Sequence, residues 1–464
     1  MSAQRNRCEV EATALDEAGH GVGRVDGEPP RTLHVADLLP GERAEVQIDH
    51  ESPHRAEAWA HVTRRIGEPS ADRTKPLCPG FGMCGGCVWQ HLTYPAQLAA
   101  KHDRVVAALA GVPAVADGSV AIAAVRPSPQ VFGYRNKGKY VVGRAGDHVV
   151  LGAYAPRSHH IVDTLGCRVV QPIIDEIATW VRGAAEAAGL VPYDERARTG
   201  ELRYVIVREA AGDVLVALVV APRTPRAKLE QVASALAKHP ALRGLVAIEN
   251  DRRDGAIVPS GSSAQVLLGH GFVVEDIAGA RVEVGAGEFV QVNRAQATAM
   301  YARVAQLAEI RPGTSAVDLF AGLGGIGLHL ARAGAAVVAV EIDRDAVAAL
   351  RRAVRDLADA GTPLSLTALA GDAADVRGQL TTHPDVVVVN PPRKGLSDGA
   401  RALLAEWAPP MIVYVSCGPE SLARDLAALA TRGYAPDVIE PFDLMPGTPQ
   451  VETVVRLRRG RPRR

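Results

Sequence analysis

Beyond residue 289 the chain repeats one pattern, an apolar run followed by a turn and an alanine-rich stretch. The apolar runs are "TSAVDLFAG", "AAVVAVEID", "PLSLTALAGD", "PDVVVVNPP" and "PMIVYVSCG". Runs that are apolar throughout, not at alternate positions, belong to strands covered on both faces, so they predict a doubly wound α/β domain with a parallel sheet. Residues 9 to about 66 differ. There, short alternating runs such as "RAEVQIDH" and "AEAWAHVTRRI", separated by "GHGVGRVDGEPP" and "LLPGER", predict a small all-β barrel. Between them, strand-like "ELRYVIVREA" and "DVLVALVVA" mix with helix-like "PIIDEIATWVRGAAEAAG", an α+β pattern. The expected division is therefore 1–66, 67–288 and 289–464, in keeping with a length of 464 residues. The final "RLRRGRPRR" reads as a mobile tail.

Charge is balanced, with 52 acidic residues against 52 Lys plus Arg, so any nucleic-acid contact must be local and not a global basic field. No apolar run is long enough to span a bilayer, and "MSAQRNRCEV" lacks the apolar stretch of a signal peptide. The expectation is a cytoplasmic protein without membrane contact, acting as a monomer. Thiols stay reduced in that compartment, which makes clustered cysteines metal ligands or catalysts before disulfides.

"DLFAGLGGIGLHLARAGAAVVAVEID" reads as a strand, a glycine turn, a helix and a second strand ending in Glu341 and Asp343. Gly322, Gly324 and Gly327 fit the spacing G-x-G-x-x-G, whose glycines let backbone approach a ligand, while an acid at the second strand tip accepts hydrogen bonds from ribose hydroxyls. That spacing alone does not separate NAD from S-adenosylmethionine. Acids at three successive strand tips, Asp318, Glu341 and Asp372, with "NPP" at the fourth, favour S-adenosylmethionine. Asn390 and Cys417 each end a strand, and ligands bind at the carboxyl ends of parallel strands, so the two should converge on one pocket. Uracil C5 is a poor nucleophile until a thiolate adds to C6; Cys417 is suited to that addition. A base must afterwards remove the C5 proton, and "MPGTPQVET" offers Glu452. Singly, Cys417 reads as a small buried hydrophobe and Glu452 as a solvated carboxylate; together they suggest a catalytic pair.

"CPGFGMCGGC" sets Cys78, Cys84 and Cys87 in C-x5-C-x2-C, in a chain with six cysteines. Cys167 is the available fourth ligand; with Cys417 assigned to chemistry, Cys8 is left without a role. Four cysteines suit zinc and an iron–sulfur cluster equally by composition. "FGYRNKGKYVVGR" interleaves Phe132, Tyr134 and Tyr140 with Arg135, Lys137, Lys139 and Arg144, a composition that stacks bases and neutralises phosphates, or else forms a solvated hairpin face. Arg7, Arg24, Arg31 and Arg43 lend the N-terminal barrel modest positive charge.

Taken together, the barrel, the cysteine pattern, "GEFVQVN", "DLFAGLGGIG", "NPPRKG", "SCGP" and "VET" resemble the RNA 5-methyluridine (uracil-C5) methyltransferases, specifically the iron–sulfur-containing 23S ribosomal RNA type, over nearly the whole chain. The resemblance implies an N-terminal TRAM-like, OB-like RNA-binding barrel, a 4Fe-4S cluster on Cys78, Cys84, Cys87 and Cys167, and a C-terminal class I methyltransferase domain. It implies Cys417 as nucleophile and Glu452 as proton acceptor. Gln291, Phe320, Glu341 and Asn390 would line the cofactor site beside Gly322, Gly324 and Asp372. Phe289 would stack on the target base, with Arg135 and Lys137 as further RNA contacts. The RNA expected is ribosomal, with transfer RNA as the other substrate class. The chain departs from the family pattern at Asn390, where Asp is usual, at Ala321, in "SCGP" for "SCNP", and in "GTPQVE", which lacks the usual His. Two other functions are open: an amino-group methyltransferase using Asn390-Pro391-Pro392, and a non-catalytic RNA-binding relative.

Overall fold

A computed structural model describes residues 7–26, 30–254, 256–259, 261–376 and 383–460. The C-terminal sheet has seven strands. In chain order they are Ser315–Leu319, Ala336–Glu341, Leu366–Ala370, Val386–Val389, Met411–Ser416, Tyr434–Phe442 and Glu452–Arg459, and they lie side by side as 3-2-1-4-5-7-6. The first five pair in parallel, while the seventh runs antiparallel to both neighbours. That inserted strand separates the sheet from the dinucleotide-binding order 3-2-1-4-5-6. Val386–Val389 is buried at every position, as a central parallel strand requires.

Helices cover both faces. Arg344–Asp359 presents Ala346, Val347, Ala349, Leu350 and Ala353 to the core, a spacing that keeps one stripe facing inward. Its start is fixed by Asp343, whose carboxylate accepts from the Asp345 and Ala346 amides, a cap worth about 1 kcal/mol. Asp398–Trp407 and Pro419–Ala430 pack on the opposite face.

The packing crosses the expected boundary at 289. Val105 and Leu109 of helix Tyr94–Leu109, with Val112, are buried in the C-terminal core. The hairpin Phe272–Ile277 and Ala280–Gly285 sends Ile277, Val282 and Val284 into that core while Val273 packs on the central sheet. A residue's neighbours in sequence do not determine which sheet its side chain reaches. The central sheet itself also has seven strands, with Leu202–Ala210 buried at every position and helices Pro172–Ala187 and Arg226–Leu236 on one face.

The N-terminal unit is a six-stranded curled sheet. Two of its strands, Gly21–Val25 and Arg31–Ala36, were not expected; the first falls in a segment that composition marks as a separator. Its glycines are there for close approach: a Cβ on Gly23 would lie 2.3 Å from the Glu11 carbonyl oxygen. The tail expectation fails as well. Glu452–Arg459 is a strand, and Arg456 bonds Asp437 at 2.8 Å and Glu309 at 2.9 Å. Asp437 on the neighbouring strand and Glu309 just past helix Arg294–Leu307 hold Arg456 and Arg458; residues 461–464 lie outside the described residues.

Candidate active site

The first strand ends in a bend that only the glycine turn permits. Phe320 has φ 64°, rare for a bulky residue, and Gly322 and Gly324 follow at 55° and 83° before helix Gly325–Arg332 begins. Asp318 is fully buried. Its Oδ2 accepts from the Gly327 amide at 2.8 Å, while Oδ1 has no partner among the described residues. Burial, with the nearby Glu341 charge adding to it, pushes this carboxyl up to about 7. Glu341 sits at the next strand tip, its two oxygens accepting from the amides of Gly322 at 2.8 Å and Asp343 at 3.0 Å. Asn390 ends the fourth strand, half-buried, its amide nitrogen 3.3 Å from the Leu319 carbonyl. Gln291 is half-buried ahead of helix Arg294–Leu307, and its carbonyl accepts from Asn136 at 3.3 Å. Asp372 is exposed and turns its Oδ1 to the Ala374 amide at 2.8 Å. The turn, Asp318, Glu341 and Asn390 thus meet at the carboxyl edge of the sheet, with a buried acceptor that the protein leaves open.

The thiol and the second carboxylate meet through sheet register. Ser416 pairs across from Thr453 in the antiparallel ladder, so the next step places Cys417 opposite Glu452. Both are half-buried. Burial pushes Glu452 up to about 7, against the pull of Arg393. Burial raises the Cys417 thiol, and Glu452 raises it further, while Arg393 draws it down. Arg393 also donates to Gln450 at 3.0 Å, which keeps the guanidinium between the "NPPR" turn and the chain leading to Glu452. A thiol, a carboxyl group that titrates near neutrality and a permanent cation grouped in this way can add a nucleophile and remove a proton.

Two residues that sequence reasoning passed over belong here. Arg393 stands in "NPPRKG" without a role assigned from sequence, although its place directly after "NPP" was a usable signal. Tyr301, on helix Arg294–Leu307, packs against the glycine turn, where a Cβ on Gly325 would come within 2.7 Å of its ring.

The expected RNA contacts divide. Phe289 is 71% exposed beside Gln291. Lys137, in contrast, is buried; its Nζ donates to the Ala286 carbonyl at 2.7 Å and reaches the Glu288 carbonyl at 3.5 Å, so it holds protein backbone and not phosphate. Tyr134 and Tyr140 are buried too, so neither can stack a base. Arg135 is half-buried with its Nε turned inward and unpaired among the described residues. Lys139 and Arg144 are exposed.

The four cysteines gather at one place. Burial raises Cys87 to about 11, with Cys167 and Cys84 adding to the shift, and Cys167 in turn feels Cys78 and Cys84. Among the described residues, however, no three His, Cys, Asp or Glu side chains stand close enough to hold a metal ion. The donor set suits a four-thiolate group; the spacing described here does not close one. No helix among the described residues is long and apolar enough to cross a membrane.

The fold and this grouping of residues define an α/β methyltransferase. Its architecture matches that of the Pyrococcus abyssi tRNA (uracil-54, C5)-methyltransferase, with a TM-score of 0.73 at 23% identity over 97% of this chain and 100% of the other. Residues 379–460 match the family described as tRNA (Uracil-5-)-methyltransferase. A protein of Halalkalibacterium halodurans named as an uncharacterized RNA methyltransferase is 31% identical over 97% of this chain and 96% of its own length; one of Geobacter sulfurreducens is 32% identical over 98% and 90%. The chain belongs to the RNA (uracil-5-)-methyltransferase family.

Proposed function

We propose that the protein transfers a methyl group from S-adenosylmethionine to C5 of a uridine in RNA through a covalent adduct on Cys417. The observation that carries this reading is the placement of Cys417 opposite Glu452, two strands from the one that runs into the glycine turn. Gln291, Phe320, Gly322, Gly324, Glu341, Asp372 and Asn390 would hold the cofactor, which supplies an electrophilic methyl on a sulfonium. Cys417, as thiolate, adds to C6 and moves the electron pair of the C5–C6 bond to C5, which then takes the methyl. Glu452 removes the C5 proton, the double bond re-forms and the C6–S bond breaks, returning the thiolate. Arg393 favours both anions.

The substrate we favour is 23S ribosomal RNA, which the N-terminal TRAM-like barrel and the clustered thiols support by resemblance. The chain would work as three units: barrel, central domain with a 4Fe-4S group on Cys78, Cys84, Cys87 and Cys167, and methyltransferase domain. Transfer RNA is the second reading, favoured by the like fold of the Pyrococcus enzyme. Mapping 5-methyluridine in ribosomal and transfer RNA with and without the gene separates them.

The mechanism is tested by where each variant stops. With uridine RNA and radiolabelled S-adenosylmethionine, Glu452→Gln should methylate and then stall, giving a shifted, labelled band on a denaturing gel. Cys417→Ala should give no adduct and no methyl transfer. Wild-type turnover by Glu452→Gln would remove Glu452 from the reaction.

A further inference from the structure

The loop 443–451 joins strand Tyr434–Phe442 to the strand that opens with Glu452, and Phe442 pairs directly across from Glu452. The loop therefore leaves and returns at the carboxylate. Connections of this kind ordinarily run over the surface, yet Asp443, Leu444 and Pro446 through Pro449 are buried. One continuous stretch, Trp89–Arg104, takes up most of its central polar groups, while Asn293 donates to the Leu444 carbonyl at 3.1 Å and the Tyr134 hydroxyl to the Pro446 carbonyl at 3.3 Å. The Trp89 amide donates to the Gly447 carbonyl at 2.9 Å, and the Gly447 amide donates to Gln97 Oε1 at 2.8 Å. Arg104 donates to the Pro449 carbonyl at 3.0 Å. At the centre, Lys101 Nζ pairs with Asp443 Oδ1 and donates to the Met445 carbonyl at 3.1 Å. Both side chains of that pair are 0% exposed.

Desolvating two charges costs several kcal/mol per ion, so an apolar pair of similar volume would serve stability as well or better. The ion pair differs in being directional, because it fixes the start of the loop to one point on helix Tyr94–Leu109. We propose that Lys101 and Asp443 are positioning residues that hold the Glu452 carboxylate in place opposite Cys417. This rests on the assignment of Glu452 as the base that removes the C5 proton. The same stretch begins just after Cys87, and a Cβ on Gly447 would lie 3.5 Å from Cys87 Cβ, so the cysteine loop abuts the same segment.

The test is Lys101→Met with Asp443→Leu in the full-length protein, a replacement that keeps volume and removes both charges. The expected result is a near-normal melting temperature, unchanged S-adenosylmethionine Kd and RNA KM, and kcat lowered by about 10- to 100-fold, with labelled protein–RNA adduct accumulating. Wild-type kcat without adduct overturns the proposal, as does a loss of kcat that only tracks the unfolded fraction. Arg104→Met, at the partly exposed end of the same stretch, buries no lone charge and guards against a folding failure; it should accumulate adduct to a smaller degree, and none would again overturn the proposal. Glu452→Gln runs on the same gel. Adduct there but not in the other variants defeats the positioning role alone; no adduct in Glu452→Gln defeats the base assignment, and the positioning role with it.

Discussion

Asp318 shows what one buried acid does to both binding and stability. Its carboxyl is raised to about 7 by burial, so between the ordinary Asp value and 7 the folded chain holds a proton that the unfolded chain has lost. Stability from this group is therefore complete in acid and falls as pH rises toward and through 7. Asp318→Asn should raise the melting temperature by several degrees at pH 8 and little at pH 4, read by thermal melts across pH. The same substitution should weaken cofactor binding, because an amide has a single acceptor oxygen, and with that oxygen on the Gly327 amide the open position carries an NH2 donor instead. A melting temperature that shifts equally at both pH values would show that Asp318 is ionised throughout.

The strand Lys137–Ala145 and the segment after Gly285 act together at the scale of elements. Lys137 and Arg208 are both buried and both donate to the Glu288 carbonyl, at 3.5 and 2.6 Å, which braces the backbone next to exposed Phe289. Phe289→Ala should then leave the melting temperature unchanged and weaken RNA binding by about 1–3 kcal/mol, the worth of one stacked base. Lys137→Met should lower stability but leave the salt dependence of RNA affinity as it was, since no phosphate contact is lost. A flatter salt slope in Lys137→Met, measured by filter binding, would return it to the RNA surface.

Over the whole molecule, the cysteine loop joins distant parts of the chain. Cys78, Cys84 and Cys87 lie near Cys167, which follows strand Lys137–Ala145 in the chain, and Gln90 accepts from the Cys78 amide at 3.2 Å. If they carry an iron–sulfur group, purified protein should be brown, with visible absorption bleached by dithionite. Cys87→Ser should lose colour and solubility together. Stoichiometric zinc without iron by elemental analysis would replace that assignment.

Much of the fold was legible before any coordinates because its determinants are local. A short, mostly apolar strand, a glycine turn and an acid at the next strand tip sit within one short stretch, so the C-terminal sheet and the acids Asp318 and Glu341 could be read from spacing. What spacing cannot supply is the neighbour on each face. The alternation of "YRNKGKY" is real, but tertiary packing turned Tyr134, Lys137 and Tyr140 inward, where composition suggested an RNA surface. The arginines of the C-terminal strand found Asp437 and Glu309 only because that strand inserts between two others. Sequence chemistry alone paired Cys417 with Glu452; their facing positions came from the antiparallel register of Ser416 with Thr453. The burial of Lys101 against Asp443, more than three hundred residues apart, has no local signal at all, since a charged side chain reads as solvated until the fold encloses it.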